Sequence, residues 1–409
     1  MTDKLSVDIL IFGGGVAGLW TAVRLSNAGY ACALIESQTL GEGQTIASQG
    51  VLHGGIKYAL TGEASRASRA VAEMPAVWFE HLCGRHSPDL TDVTVLTQNQ
   101  YLWPTPGRIS RVATFFASRV LRSHAEKNSA SEVPMFVGAK SDLPVYRVDE
   151  RIICPQKLLE SLARQVRGPI LKVDAKEGVR FLDATSVEVK SQEVEGRTLR
   201  IDAKHIVLTA GAGNEAMLSQ LASGGFIAGV SAPLMQRRPL HMVMVRGPRL
   251  PKIFGHCIGP SNVPRVTITS HQSDMRFGRI EPLWYLGGAI AEQGVDRSPD
   301  EQIAAAKKTL RKCVPWLDWN DPDLQWQTHR VDRAEGLTEG GRRPDVPVVQ
   351  TIDDVTVCWP TKMVFGPHVA QQIDQIVASL EIEPTGPIDG STVDWPTAKV
   401  AALPWGRHW

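Results

Sequence analysis

Val7 to Gly18 reads VDILIFGGGVAG, and Leu19 to Glu36 continues LWTAVRLSNAGYACALIE. Val7–Phe12 is a short apolar run suited to a strand buried on both faces. The glycines Gly13, Gly14, Gly15 and Gly18 follow it. Leu19, Ala22, Val23 and Leu25 then recur at helical spacing, and Asn27-Ala28-Gly29 ends the pattern. Ala31–Ile35 is a second buried strand that closes on the acid Glu36.

This is G-x-G-x-x-G inside a βαβ unit. Gly13 permits the tight turn, Gly15 lets backbone approach a pyrophosphate, and Gly18 lets helix and strand pack closely. The first helical residues, Val16 and Ala17, offer unpaired N–H groups to phosphate. Glu36, followed by Ser37, stands where ribose hydroxyls are read. The fingerprint alone fits FAD or NAD. After the acid, residues 41–56 form a second glycine-rich stretch where a regular βα unit would otherwise come. Later, IDAKHIVLTAGAG (201–213) runs a strand into another glycine turn, which brings Gly211 close to the same dinucleotide. No second complete fingerprint follows, so nothing points to an NAD(P)H domain.

The 409 residues predict two or three domain-sized units. A formal net charge of +1 gives no reason to expect a nucleic-acid surface, so an anion site must be local. No apolar run reaches the length of a membrane span. The N-terminal apolar run passes straight into the glycine turn and lacks a secretory-signal pattern. The six cysteines are scattered without metal-ligand spacing, as reduced thiols of a cytoplasmic protein would be. The tail LPWGRHW (403–409) places Trp405, Arg407 and Trp409 together, a set suited to a membrane surface, a second copy of the chain, or the chain's own surface.

GQTIASQGVLHGGIKYAL (43–60) holds a histidine and a lysine, His53 and Lys57, on a nearly bare backbone. Together with DERIICPQKLLESLA, HIVLTAGAG and WPTKMVFGPHVAQQI, it resembles FAD-dependent oxidoreductases of the D-amino-acid oxidase superfamily. Within that superfamily it is similar to FAD-dependent glycerol-3-phosphate and L-2-hydroxyglutarate dehydrogenases. The resemblance covers residues 5–378. It implies an α/β, overall α+β, fold in which a Rossmann-like FAD domain (1–75, 146–231, 326–385) interleaves with an antiparallel-sheet substrate domain (76–145, 232–325), with 386–409 as a tail. The runs HMVMVRG, RVTITS and LWYLGGAI read as strands of that second sheet. Pro155 suits a first helical position, with Leu158, Leu159, Leu162 and Val166 on one face.

The resemblance also implies site roles. Thr45, Ser48, Gln49 and Gly50 run along FAD and bond its phosphate or ring. His53 stands beside the flavin, or is a half-buried histidine bonded to backbone. Lys57 holds a substrate anion, or is solvated. His241 in RRPLHMVMV matches an active-site histidine, although Pro239 and Leu240 replace the family's glycine and serine. Arg333 in HRVDRAEGL matches a substrate arginine, with Arg330 as competitor. Lys362, Met363 and Val364 match a lysine-led stretch at the flavin pyrimidine, with Pro360 and Thr361 in place of two glycines. The implied chemistry is oxidation of a small anionic hydroxy compound by hydride transfer to FAD. Oxidation of an amine or amino acid, or a flavin-binding assembly subunit without turnover, stays open. So does the electron acceptor: oxygen, quinone or a protein carrier.

Overall fold

The structure is a computed structural model. It describes residues 3–54, 66–105, 125–129, 133, 136, 138–139, 143–229, 234–259, 263–273, 280–342 and 344–408. Two eight-stranded sheets organise it. In the first, the strand Asp3–Phe12 lies between Cys32–Glu36 and Thr198–Leu208, parallel to both. Ile170–Lys172 and Val355–Trp359 extend the parallel array on either side. Successive residues on these strands feed two cores. Ile9, Ile11 and Leu34 face the helices Val16–Asn27, Pro155–Gln165 and Gly366–Ser379, while Leu10, Phe12 and Ile35 face Leu218 and Leu221 of the helix Gly213–Ser223. Burial on both faces is why the strands read as unbroken apolar runs.

The second sheet runs Gln325–Val331, Leu240–Arg246, Pro282–Gly287, Val266–Gln272, Phe254–Ile258, Gln100–Pro104, Pro144–Val148, Ala125–Ser129. Its pairs are antiparallel except Phe254–Ile258 with Gln100–Pro104. One face buries Val243, Val245, Ile268 and Trp284 under Ala306 and Leu310 of the helix Pro299–Cys313. The opposite face carries Met242, Met244, Leu283 and Tyr285. The three expected strands and the Pro155 helix start are all present.

Three elements cross the expected segment boundaries. The strand Pro144–Val148 runs across 145/146 and pairs wholly within the second sheet. Residues Arg66–Leu82 form one helix through Pro75, and its apolar residues Val71, Met74 and Trp78 are buried in the first core. The strand Gln325–Val331 pairs along Leu240–Arg246 and so belongs to the second sheet throughout. Of the settings open to the tail, the described residues take the chain's own surface. Trp405 is 3% exposed and packs on Tyr285 and His271. Trp409 lies outside the described residues. No helix among the described residues is long and apolar enough to cross a membrane.

Candidate active site

A cavity of about 1020 Å³ opens between the two sheets. It begins at the fingerprint turn. Gly13 has φ +98°, and a Cβ there would lie 2.5 Å from the Ala210 Cα. A Cβ on Gly18 would lie 1.9 Å from the Gly13 carbonyl oxygen, so this glycine serves helix–strand packing and does not line the cavity. Gly15 is the N-cap of the first helix, makes no side-chain cap, and is followed by no acid in the first turn. Gly13, Gly15, Val16 and Ala17 line the cavity. The helix therefore presents N–H groups and the positive end of its dipole there.

Glu36 accepts from the Gly14 N–H at 2.7 Å and from the Gln38 N–H at 2.8 Å, and burial raises its pKa. It lines the cavity with Ser37, Gly211 and the segment Val173–Lys176, which the sequence reading did not single out. The chemistry of this wall fits a dinucleotide: a helix start and the positive end of its dipole for phosphate, an acid for ribose hydroxyls, and glycine where backbone must come close.

The second glycine stretch continues the wall. Thr45 Oγ1 accepts from the Val16 N–H at 3.2 Å, tying this loop to the helix start. Ser48 Oγ lies 3.4 Å from Met363 Sδ. Gln49 lines the cavity, but its amide donates to the carbonyls of Tyr285 at 2.9 Å and Thr267 at 3.3 Å. Its donors thus bridge to the second sheet and do not face a phosphate. Gly50 has φ +70°, and a Cβ would meet the Ile153 carbonyl oxygen at 1.9 Å.

His53 reaches the cavity with its Nδ1 3.7 Å from Glu150 Oε2. Glu150 also accepts from the Gly54 N–H at 2.6 Å, so one buried carboxylate fixes the turn beyond His53 and stands beside its ring. His256 lies alongside, ring centroids 6.4 Å apart, with Nδ1 2.8 Å from Thr267 Oγ1. The sequence reading missed His256 and Glu150. Strand alternation in FGHCI was the available signal, since His256 faces the cavity and Cys257 the opposite core. Lys57 lies outside the described residues.

His241 is not in the cavity. On its strand Leu240 and Met242 face inward, which turns His241 to the other side of the sheet. There it is fully buried, its Nδ1 is 3.0 Å from the Gly294 carbonyl oxygen, and burial lowers its pKa. The single-residue pleat overturns this assignment.

Arg333 lines the cavity, whereas Arg330 is occupied by the carbonyls of Val295 and Arg297. A second arginine, Arg238, joins Arg333. The short strands Met235–Arg237 and Ala334–Gly336 pair, the Arg238 N–H donates to the Arg333 carbonyl at 2.8 Å, and Arg333 Nε donates to the Arg238 carbonyl at 2.9 Å. Arg238 also stands 3.6 Å from Glu292, another lining residue.

Lys362 and Met363 line the cavity, and Lys362 Nζ is 5.7 Å from the Phe365 ring. Val364 does not line it: its side chain is in the first core and its carbonyl accepts from Trp78 Nε1 at 2.8 Å. Thr361 holds φ +61°, the conformation that favours the glycine it replaces.

Residues 8–356 match the family model for FAD dependent oxidoreductases, DAO. The chain is 41% identical over 383 residues to the probable FAD-dependent oxidoreductase PA4991 of Pseudomonas aeruginosa, spanning 93% of this chain and 92% of that one. The crystal structure of PA4991 superposes with a TM-score of 0.79 at 36% identity, over 99% of both chains. Glycine oxidase from Geobacillus kaustophilus shares the fold at a TM-score of 0.59 and 16% identity, over 92% of this chain and 95% of that one. L-alpha-glycerophosphate oxidase from Mycoplasma pneumoniae, with FAD bound, shares it at 0.57 and 13% identity, over 98% of each chain.

Proposed function

The chain belongs to the family of FAD-dependent oxidoreductases, and from that premise we propose that it oxidises a small anionic hydroxy compound. When bound, FAD supplies a two-electron acceptor for the hydride leaving the substrate carbon. The observation that carries the substrate reading is one cavity holding two imidazoles, His53 and His256, together with the guanidinium groups of Arg238 and Arg333.

Each group has a role in this reading. The Gly13–Gly18 turn, Thr45 and Glu36 hold the dinucleotide, with Lys362 and Met363 toward its ring. Arg333 and Arg238 take the substrate's carboxylate or phosphate, and planar guanidinium forks suit either anion. Fixing the anion aims the reacting C–H and removes orientational freedom before reaction. His53, oriented by Glu150, takes the hydroxyl proton as the carbon loses hydride, leaving a carbonyl. Met242, Leu102 and Ile258 line the same space and limit water.

A second reading draws on Glu292 and Glu150, which are also lining residues. These carboxylates suit an ammonium group, so an amino acid is the rival substrate. Anaerobic mixing of the FAD-loaded protein with a panel of hydroxy acids, sugar phosphates and amino acids separates the two. Flavin bleaching by an anionic hydroxy compound is expected. Bleaching by amino acids alone selects the rival.

A further inference from the structure

We propose that the C-terminal segment 395–407 is a clasp for the cofactor site, with Arg407 and Trp405 as positioning residues, so that its docking and FAD binding stabilise each other. The inference rests on placing the dinucleotide along the Gly13–Gly18 turn and the 41–50 loop.

The segment is stitched to the walls of that site. The Lys172 N–H donates to the Pro396 carbonyl at 2.7 Å, and Trp395 Nε1 donates back to the Lys172 carbonyl at 2.8 Å. Further on, the Leu40 N–H donates to the Lys399 carbonyl at 2.8 Å, and the Ala401 N–H donates to the Leu40 carbonyl at 3.0 Å. Leu40 is thus held between two tail residues. Its side chain presses on the fingerprint turn, since a Cβ on Gly14 would lie 2.3 Å from Leu40 Cδ2. The tail therefore bears on the phosphate turn through a single intervening side chain.

Arg407 then crosses back. Its Nη1 and Nη2 both donate to the carboxylate of Glu42, the Nη2 contact being 2.9 Å, and its Nε donates to the Ala402 carbonyl at 3.1 Å. Glu42 lines the cavity on the loop next to the fingerprint. The paired guanidinium holds its carboxyl below the usual range. An uncompensated carboxylate on that wall would repel a pyrophosphate, so Arg407 makes the wall compatible with the ligand. Trp405 supplies the other anchor. It is wedged 4.1 Å from the His271 ring and 5.5 Å from the Tyr285 ring, and Tyr285 donates its hydroxyl to the Ala47 carbonyl at 3.0 Å. Ala47 is another lining residue. One segment thus grips the cofactor loop from both ends while resting on the second sheet. Whatever loosens that loop must weaken FAD, and by linkage FAD must tighten the segment.

The test uses the full-length chain. FAD is titrated into apo-protein, followed by flavin fluorescence, for the wild type, Arg407→Glu, and the double reversal Glu42→Arg with Arg407→Glu. Hydrogen exchange of residues 399–407 is measured with and without FAD. Arg407→Glu should raise the FAD Kd about tenfold or more, within the usual range of coupling between sites. The double reversal should recover most of the loss, and FAD should slow exchange in the segment. An Arg407→Glu Kd within about twofold of wild type, with exchange insensitive to FAD, overturns the clasp. Gly15→Val is the control for the premise. If it too binds FAD normally, the placement of the dinucleotide fails. If it loses FAD while Arg407→Glu does not, the clasp alone fails.

Discussion

Glu335 accepts a hydrogen bond from Arg238 Nη1 at 3.0 Å while being fully buried. Its other oxygen stands 3.9 Å from Arg333 Nη1, so one carboxylate lies between two arginines of the cavity wall. Two guanidinium groups brought this close repel unless an anion separates them. Glu335 keeps them together in advance of substrate, so the anion of the proposed substrate would meet a preformed pair.

Replacing Glu335 with glutamine should therefore harm substrate capture far more than chemistry. A hydrogen bond to a charged group contributes about 1.5–3 kcal/mol. Half-saturation for an anionic substrate should rise about tenfold or more, while the limiting rate of flavin reduction stays within a few-fold. Stopped-flow reduction over a range of substrate concentrations reads both. An unchanged half-saturation removes Glu335 from substrate positioning.

Gly15 and Gly18 should fail in different ways. A Cβ on Gly15 meets only Thr45 Oγ1, at 3.3 Å, so Gly15→Val should fold and lose FAD. A Cβ on Gly18 meets backbone at 1.9 Å, so Gly18→Val should lower the melting temperature even of the apo-protein. Circular dichroism melts and flavin content after gel filtration tell them apart. Equal melting of Gly18→Val and wild-type apo-protein would contradict the packing role.

Acid lability should carry the signature of buried histidines. Burial lowers the His205 pKa from 6.5 to about 4, and that of His271 to about 3. Well above pH 6.5 these rings are neutral in both folded and unfolded chains, and their burial adds no pH dependence. As pH falls from 6.5 toward 4, the unfolded chain takes up protons that the folded chain refuses, so stability declines. Each pKa unit of difference is worth about 1.4 kcal/mol. His205→Gln, which can still reach Thr356, should lose less stability than wild type between pH 7 and pH 4 in urea titrations. Parallel slopes for the two proteins would exclude His205 as a contributor.

The parallel sheet and the first turn were legible because their signals are local. Strand, glycines, helix and acid lie within Val7–Glu36, and Gly18 answers to the Gly13 carbonyl within the same turn. The wall that carries the two arginines was less legible because its residues meet only through pairing of distant strands. Arg238 comes beside Arg333 across 95 residues, through the short ribbon of Met235–Arg237 with Ala334–Gly336. His256 was overlooked and His241 misplaced for one reason: the facing of a strand depends on register, which a motif match does not fix. The tail reads as amphipathic in sequence, and only the tertiary structure gives Trp405 its pocket beside Tyr285 and His271.

In the proposed reaction His53 takes the substrate's proton while Arg333 holds its anion, both beside bound FAD. Anaerobic stopped-flow flavin reduction by an anionic hydroxy substrate, compared for wild type, His53→Ala and Arg333→Ala with FAD content verified, tests it most directly. His53→Ala should slow the limiting rate about 10²- to 10⁴-fold with little change in half-saturation, as loss of a general base does. Arg333→Ala should raise half-saturation by a factor equivalent to roughly 2–5 kcal/mol, the usual cost of breaking a buried charge pair, and Arg333→Lys should recover only part. A His53→Ala protein reduced at the wild-type rate, or an Arg333→Ala protein that saturates as wild type does, would contradict the account.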